Sequence, residues 1–425
     1  MQLPTPARPA IDDEEPSVPV VVGAVIGGVF FGGVGGGVAF PTLPTLGTVL
    51  GISSFVVGAI LSVNRFTRLV MATPAGQVLD SVGTRKPMLV GLFVQGLVPF
   101  GYVLALDPGP VPLSSAAIFF LSRACWGVGS AFVFVGAFTT VTHVTTAENR
   151  GKWVGYMRGG QSLGFPMGLI LGGVLTDLYG YSEAFAAAGA AGLFAAVVAF
   201  VVLPNVRGSA TTTRLRDLPA VVRADARVLG IGTTNLSVRF LYAGVLLSTV
   251  VLYTNEYDIS VGSLAGTGVS GIVMAVSVLA MSLTTLVVGR LSDRLSSRTY
   301  TVIPALALLA AGFALLVFVP TVAGIVVGVA MIGAGVGGTG PPLLAYLGDI
   351  APGEDVGKLG GVYNVFGDLG GTIGPLIALP LASTIGVGTE YLICAGLAVL
   401  TATMVLATLD GDPEPLRSPE VVPDD

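Results

Sequence analysis

Charged and amide side chains inside long apolar stretches are the residues of this sequence best placed to do chemistry. Asp368 is the only acid well inside any such stretch. It lies about eleven residues in, hence about 16 Å deep on a helix rising about 1.5 Å per residue. A carboxylate at that depth can carry a proton or act as a permanent counter-ion, since burial and pairing act on it in opposite directions. Both readings stay open. Arg65 and Arg68, three positions apart, share one helix face, and Arg123 and Arg158 occupy two further stretches. Asn364, on the face of Asp368, and Gln161 with Ser162 offer hydrogen bonds to a solute. Residues so costly to bury face a cavity or each other, and they are read as a substrate or proton pathway, with Arg123 as a tie between helices and Arg68 reaching to the cytoplasmic surface as the alternatives.

Other chemistry has little to build on. His143 is the single histidine, near the end of an apolar stretch. Cys125 and Cys394 lie far apart in apolar surroundings, so neither a metal centre nor a disulfide framework is expected. The Gly32–Gly37 segment sits inside an apolar run with no soluble strand before it, which makes it packing glycine rather than a dinucleotide loop. No phosphate-binding lysine motif is present, and neither ATP nor any other cofactor is implied. An enzyme needs a cluster of catalytic groups, which this sequence does not offer. No nucleic-acid partner is expected either.

These residues need membrane-spanning helices to position them. Of the 425 residues, 53% are hydrophobic and only 11% charged, with mean hydropathy +0.86, which excludes a large soluble enzyme. A spanning helix takes about 20 residues. Twelve candidate spans fit, at about 18–42, 54–77, 88–106, 114–142, 152–176, 183–203, 230–253, 266–288, 300–319, 322–347, 358–382 and 389–409. The first run is too long for a signal peptide and has no basic residues at its start, so it is expected to remain as a span. The reading is an all-α integral membrane protein. Six helices at 18–203 and six at 230–409 are joined by a linker at 204–229 and flanked by acidic tails at 1–17 and 410–425. Alternate loops hold all the loop lysines and arginines, among them Arg85, Lys86, Arg150, Lys152 and Arg290 through Arg298. The opposite loops have none. By the positive-inside rule the basic loops and both termini face the cytoplasm of a plasma-membrane protein. Charges are also absent from the interiors of the third, sixth, ninth and twelfth spans.

Gly76-Gln77-Val78-Leu79-Asp80-Ser81-Val82-Gly83-Thr84-Arg85-Lys86 follows the second span. Gly289-Arg290-Leu291-Ser292-Asp293-Arg294-Leu295-Ser296-Ser297-Arg298 follows the eighth. A second pair, Glu148-Asn149-Arg150-Gly151-Lys152 and Glu354-Asp355-Val356-Gly357-Lys358, also sits at matched places, as expected of a duplicated six-helix unit. The first pair resembles the signature of the major facilitator superfamily, Gly-x-Leu-x-Asp-Arg-x-Gly-Arg-Arg, with Val78, Ser81, Thr84 and Ser296 as departures. Asp80 is placed to meet the start of span eleven near Gly357, and Asp293 the start of span five near Lys152. Carboxylates are favourable at such helix N-termini. Together with Gly76, Gly83, Gly289, Arg85, Arg294 and Arg298, they form an expected cytoplasmic latch, in which the arginines pair with carboxylates or lipid phosphates.

The resemblance implies two pseudo-symmetric six-helix halves, with the third and sixth helix of each outermost. It also implies alternating access by a monomeric secondary transporter of a small molecule. Among subgroups it is nearest the twelve-span drug:proton antiporters, through the arginines of span two and the Arg123-Ala124-Cys125-Trp126-Gly127-Val128-Gly129 pattern of span four. The glycine-rich span five adds to this with Gly160, Gly164, Gly168 and Gly172 around Pro166, and span eleven carries Gly374-Pro375. Phe165 between Gly164 and Pro166 departs from the antiporter signature. Such glycines equally serve ordinary helix packing. The expected activity is proton-coupled efflux. Several arginines opposite one aspartate instead favour a small organic or inorganic anion, and a non-transporting membrane sensor is the alternative of another class.

Overall fold

The computed structural model describes residues 17–146, 148–206, 225–292, 294–295, 297–351 and 356–409, with the side chains of 356–358 left out. Both tails, most of the linker, and Asp293, Ser296, Glu354 and Asp355 lie outside the described residues. The described chain forms twelve long apolar helices. They are α1 (Val18–Val49), α2 (Ser54–Val82), α3 (Arg85–Leu106), α4 (Ser115–Val144), α5 (Arg150–Tyr179), α6 (Tyr181–Val202), α7 (Ala226–Glu256), α8 (Gly266–Ser292), α9 (Thr299–Phe318), α10 (Val322–Ile350), α11 (Val356–Ile385) and α12 (Val387–Leu409).

Local chemistry sets the ends. Ser53, Ser114 and Thr321 accept hydrogen bonds from backbone N–H groups in the first turns of α2, α4 and α10. Gly83 (φ 85°) and Gly180 (φ 113°) end α2 and α5 in a conformation that a side chain would strain. At the start of α7, Asp225 accepts from the Arg227 backbone N–H at 2.7 Å and from its guanidinium at 2.7 Å. That hydrogen-bonding holds the Asp225 carboxyl below its ordinary range.

The duplication is visible in the packing. In the first half α1 packs on α5 and α6, α2 on α4, and α3 on α4 and α6. In the second, α7 packs on α11 and α12, α8 on α10, and α9 on α10 and α12. Each pairing recurs six helices later. Helices α3, α6, α9 and α12 pack within their own halves, whereas α5 meets α8 and α2 meets α11 across the interface. Exposed Val197, Phe200, Val201, Leu283, Leu286 and Val287 lie on the outside, where a bilayer would cover them.

Small residues set the closest approaches. Gly160, Gly164, Gly168 and Gly172 of α5 face Ile26, Phe30, Val34 and Val38 of α1, four residues apart on both helices. At the last three, an added Cβ would strike α1 backbone. Pro166 leaves α5 continuous. Gly374 lies against Gly244 of α7, where residues Phe240–Leu246 form a π-helical turn inside the helix. Such turns are rare and no sequence pattern announced this one.

Candidate functional site

Between the halves lies a cavity of about 970 Å³. Its wall includes Thr142, His143 and Arg150 at the ends of α4 and α5 that carry the basic loops, so it reaches that face. Toward the opposite face, charge-poor in that its loops carry no lysine or arginine, the halves close on each other. Gly58 of α2 sits against the Pro375 carbonyl, and Gly173 of α5 against Thr267 and Gly271 of α8. Asp177, near the end of α5, accepts from the backbone N–H of Ala265 at 2.7 Å, just before α8 begins. A carboxylate is favourable at that helix N-terminus. Gly268 leaves it room, because a Cβ there would meet the Asp177 carboxylate. The molecule is therefore open at the basic face and shut at the other.

Arg65, Arg68, Arg158, Gln161, Asn364 and Asp368 all line this cavity. Arg68 Nη2 and Asp368 Oδ1 are 2.9 Å apart across the interface, with side chains 30% and 32% exposed, so the pair stays accessible from the cavity. Phe134 lies beneath the Arg68 guanidinium, with the ring centre 5.6 Å from Cζ. Arg65 lies over Phe40 at 5.8 Å and extends to α11, where a Cβ at Gly371 would collide with its guanidinium. The cavity therefore joins charged groups from both halves.

Arg123 does not line this cavity. It is 2% exposed, lies beside Tyr102, and its Nε and Nη1 meet no acceptor. The first α4 residue on the wall is Ala131. At about 1.5 Å per residue, Arg123 stands about 12 Å beyond it toward the sealed end. Ser162 is also off the wall. It is exposed, one residue or about 100° around α5 from Gln161.

At the basic face Arg85 is held within its own half, donating to the Phe200 carbonyl at 2.9 Å. Among the described residues it meets no carboxylate, and the loop after α2 folds over the end of α6. Thr84 donates its N–H to the Val206 carbonyl at 2.9 Å in the same loop. Arg298 donates to Asp349 at 3.1 Å, again within one half. Arg294 and Asp80 are exposed, and Gly76 is buried. Gly289 has ordinary room around it, with the Pro341 side chain nearest.

Sequence reasoning named Arg239, His143 and Arg150 but placed none of them in the pathway, and passed over Asn235 and Tyr242; all five are on the wall. Arg239 carried a usable signal as the one charge inside span seven. It also passed over Glu390, taken as a span edge. Helix α12 begins at Val387, so Glu390 falls in its first turn, 1% exposed and with no hydrogen-bond partner for either carboxylate oxygen.

Two bundles of six helices enclosing a charged central cavity define a polytopic membrane protein built like a carrier. The sequence profile of the Major Facilitator Superfamily matches residues 25–278 and 238–424. The chain belongs to that superfamily. Multidrug resistance protein 1 of Bacillus subtilis (strain 168) is 27% identical over 175 residues, 41% of this chain and 43% of that protein. Quinolone resistance protein NorA of Staphylococcus aureus (strain Mu50 / ATCC 700699) is 22% identical over 176 residues, again 41% and 43%. The matched segment thus spans less than half of these relatives. Among solved structures, the nucleoside transporter NupG superposes with TM-score 0.75 at 15% identity, over 92% of this chain and 100% of that one. A bacterial homologue of the human lysosomal transporter Spinster, inward-facing and occupied, gives 0.72 at 14%, over 93% and 97%. These likenesses concern the fold.

Proposed function

We propose that the protein is a secondary transporter that moves a small organic solute across the plasma membrane by alternating access. The supporting observation is the cavity itself, which joins charged groups from both halves, reaches the basic face and is sealed at the other. A single chain forms all of it, so a monomer suffices. With the basic loops in the cytoplasm, this is the inward-open state. The opposite state requires α5 to part from α8 and α2 from α11, both small-residue interfaces able to open as rigid bodies.

Coupling to protons rests on the Arg68–Asp368 pair. A carboxylate accessible from the cavity and bound to an arginine of the other half can exchange that partner for a proton. Ion-pair formation and proton uptake then favour different arrangements of the halves. Efflux draws support from the multidrug and quinolone resistance relatives.

The test is purified protein in proteoliposomes with an imposed pH gradient and an internal pH dye. Addition of an aromatic solute is expected to evoke proton movement in wild type, reduced at least tenfold in Asp368→Asn. Solute movement without proton movement in wild type would overturn the coupling, and no solute movement at all would overturn transport.

A further inference from the structure

Among the described residues, the Arg68–Asp368 pair uses the only carboxylate on the cavity wall, yet Arg65, Arg158 and Arg239 also line it. Among the described residues none of these three has a carboxylate within ion-pair distance. Arg68 and, less strongly, Arg239 are near enough to repel Arg65, and Asp368, already paired with Arg68, offsets only part of that field. Cations gathered in a low-dielectric site are costly unless an opposite charge joins them. Arg150 at the mouth faces the same cavity and extends its positive field toward the basic face. Phe134, Phe138 and Phe165 give the wall an aromatic side, beside polar Gln161, Asn235 and Asn364. An inorganic oxyanion has no use for these rings, and a lipophilic cation would meet the arginines.

Resting on the transport reading, we propose that the solute is an amphipathic organic anion. A carboxylate or sulfonate head sits on Arg65 and Arg239, and an apolar or aromatic body lies against the phenylalanines. Guanidinium groups suit such heads because they donate two parallel hydrogen bonds to one planar group. A cavity of about 970 Å³ admits a drug-sized molecule. Arg239 immediately precedes the π-helical turn of α7 and Arg65 reaches α11, so the head would bind between the halves. Occupancy would then offset the repulsion that otherwise resists their closing around the solute.

The experiment is calorimetric binding to the purified full chain in lipid nanodiscs at pH 7.5, using four probes. These are 1-naphthoate, the neutral 1-naphthalenemethanol, the cationic 1-naphthylmethylammonium and inorganic phosphate. Naphthoate is expected to bind at least tenfold more tightly than each of the others. Arg65→Gln and Arg239→Gln should each weaken it tenfold or more, while Arg65→Lys, which keeps the charge but loses the paired hydrogen bonds, should fall between wild type and Arg65→Gln and show that the site survives substitution. Tighter binding of the ammonium probe, phosphate binding equal to naphthoate, unaltered naphthoate binding in both glutamine variants, or no naphthoate binding by folded wild type would each overturn the anion assignment. The transport reading fails separately, if no flux and no rearrangement of the halves occurs whatever binds.

Discussion

At the scale of residues, position along the cavity axis separates arginines that look equivalent in sequence. Arg65, Arg68, Arg158 and Arg239 lie on the wall, whereas Arg123 is enclosed among α3 and α4 toward the sealed end. Arg123→Met is therefore expected to leave solute affinity from the basic face within twofold of wild type, where Arg65→Gln loses at least tenfold; titration calorimetry checks both. Methionine fills much of the same volume and removes two unmet donors, so the melting temperature should hold or rise. Asp368→Asn removes the charge but preserves shape and some hydrogen-bonding capacity. It is expected to fold normally and to keep exchange of labelled for unlabelled solute while losing proton-driven accumulation, a split that counterflow assays read directly.

At the scale of elements, closure of the charge-poor end rests on few groups. Asp177 on the start of α8 combines a capping hydrogen bond with a favourable helix dipole, together worth about 1 kcal/mol. Asp177→Ala is expected to shift the balance between the two states toward the opposite opening by about fivefold. Gly58→Val places a branched side chain on the Pro375 carbonyl and should do the same. Maleimide labelling of a Thr267→Cys reporter from the charge-poor side is expected to speed up in both variants, and unchanged labelling would remove Asp177 and Gly58 from the seal. Most of the helices were legible in the sequence, because apolar length and the alternation of basic loops with loops free of lysine and arginine mark spans directly. The four-residue glycine spacing of α5 likewise announced a close partner, though not that the partner is α1. Less could be read of which way each helix faces. A helix apolar all round has no polar face to set its rotation, so Ser162 and Gln161 looked alike, and the burial of Glu390 was hidden. The π-helical turn of α7 left no periodic trace.

At the scale of the whole molecule, alternating access requires two openings that exclude each other. The described state is shut where α5 meets α8 and α2 meets α11, and open at the basic face. If the halves move as rigid bodies, closing one end must open the other. Pulsed electron spin resonance on two cysteine pairs tests this most directly. One pair, Ser81→Cys with Gly360→Cys, spans the basic ends of α2 and α11, and the other, Phe55→Cys with Ser383→Cys, spans their charge-poor ends. On adding naphthoate, lowering the pH or introducing Asp177→Ala, the basic pair is expected to populate a shorter distance in the same fraction of molecules in which the other pair lengthens. A single unmoving distance at both ends under every condition, or movement at one end alone, would contradict alternating access.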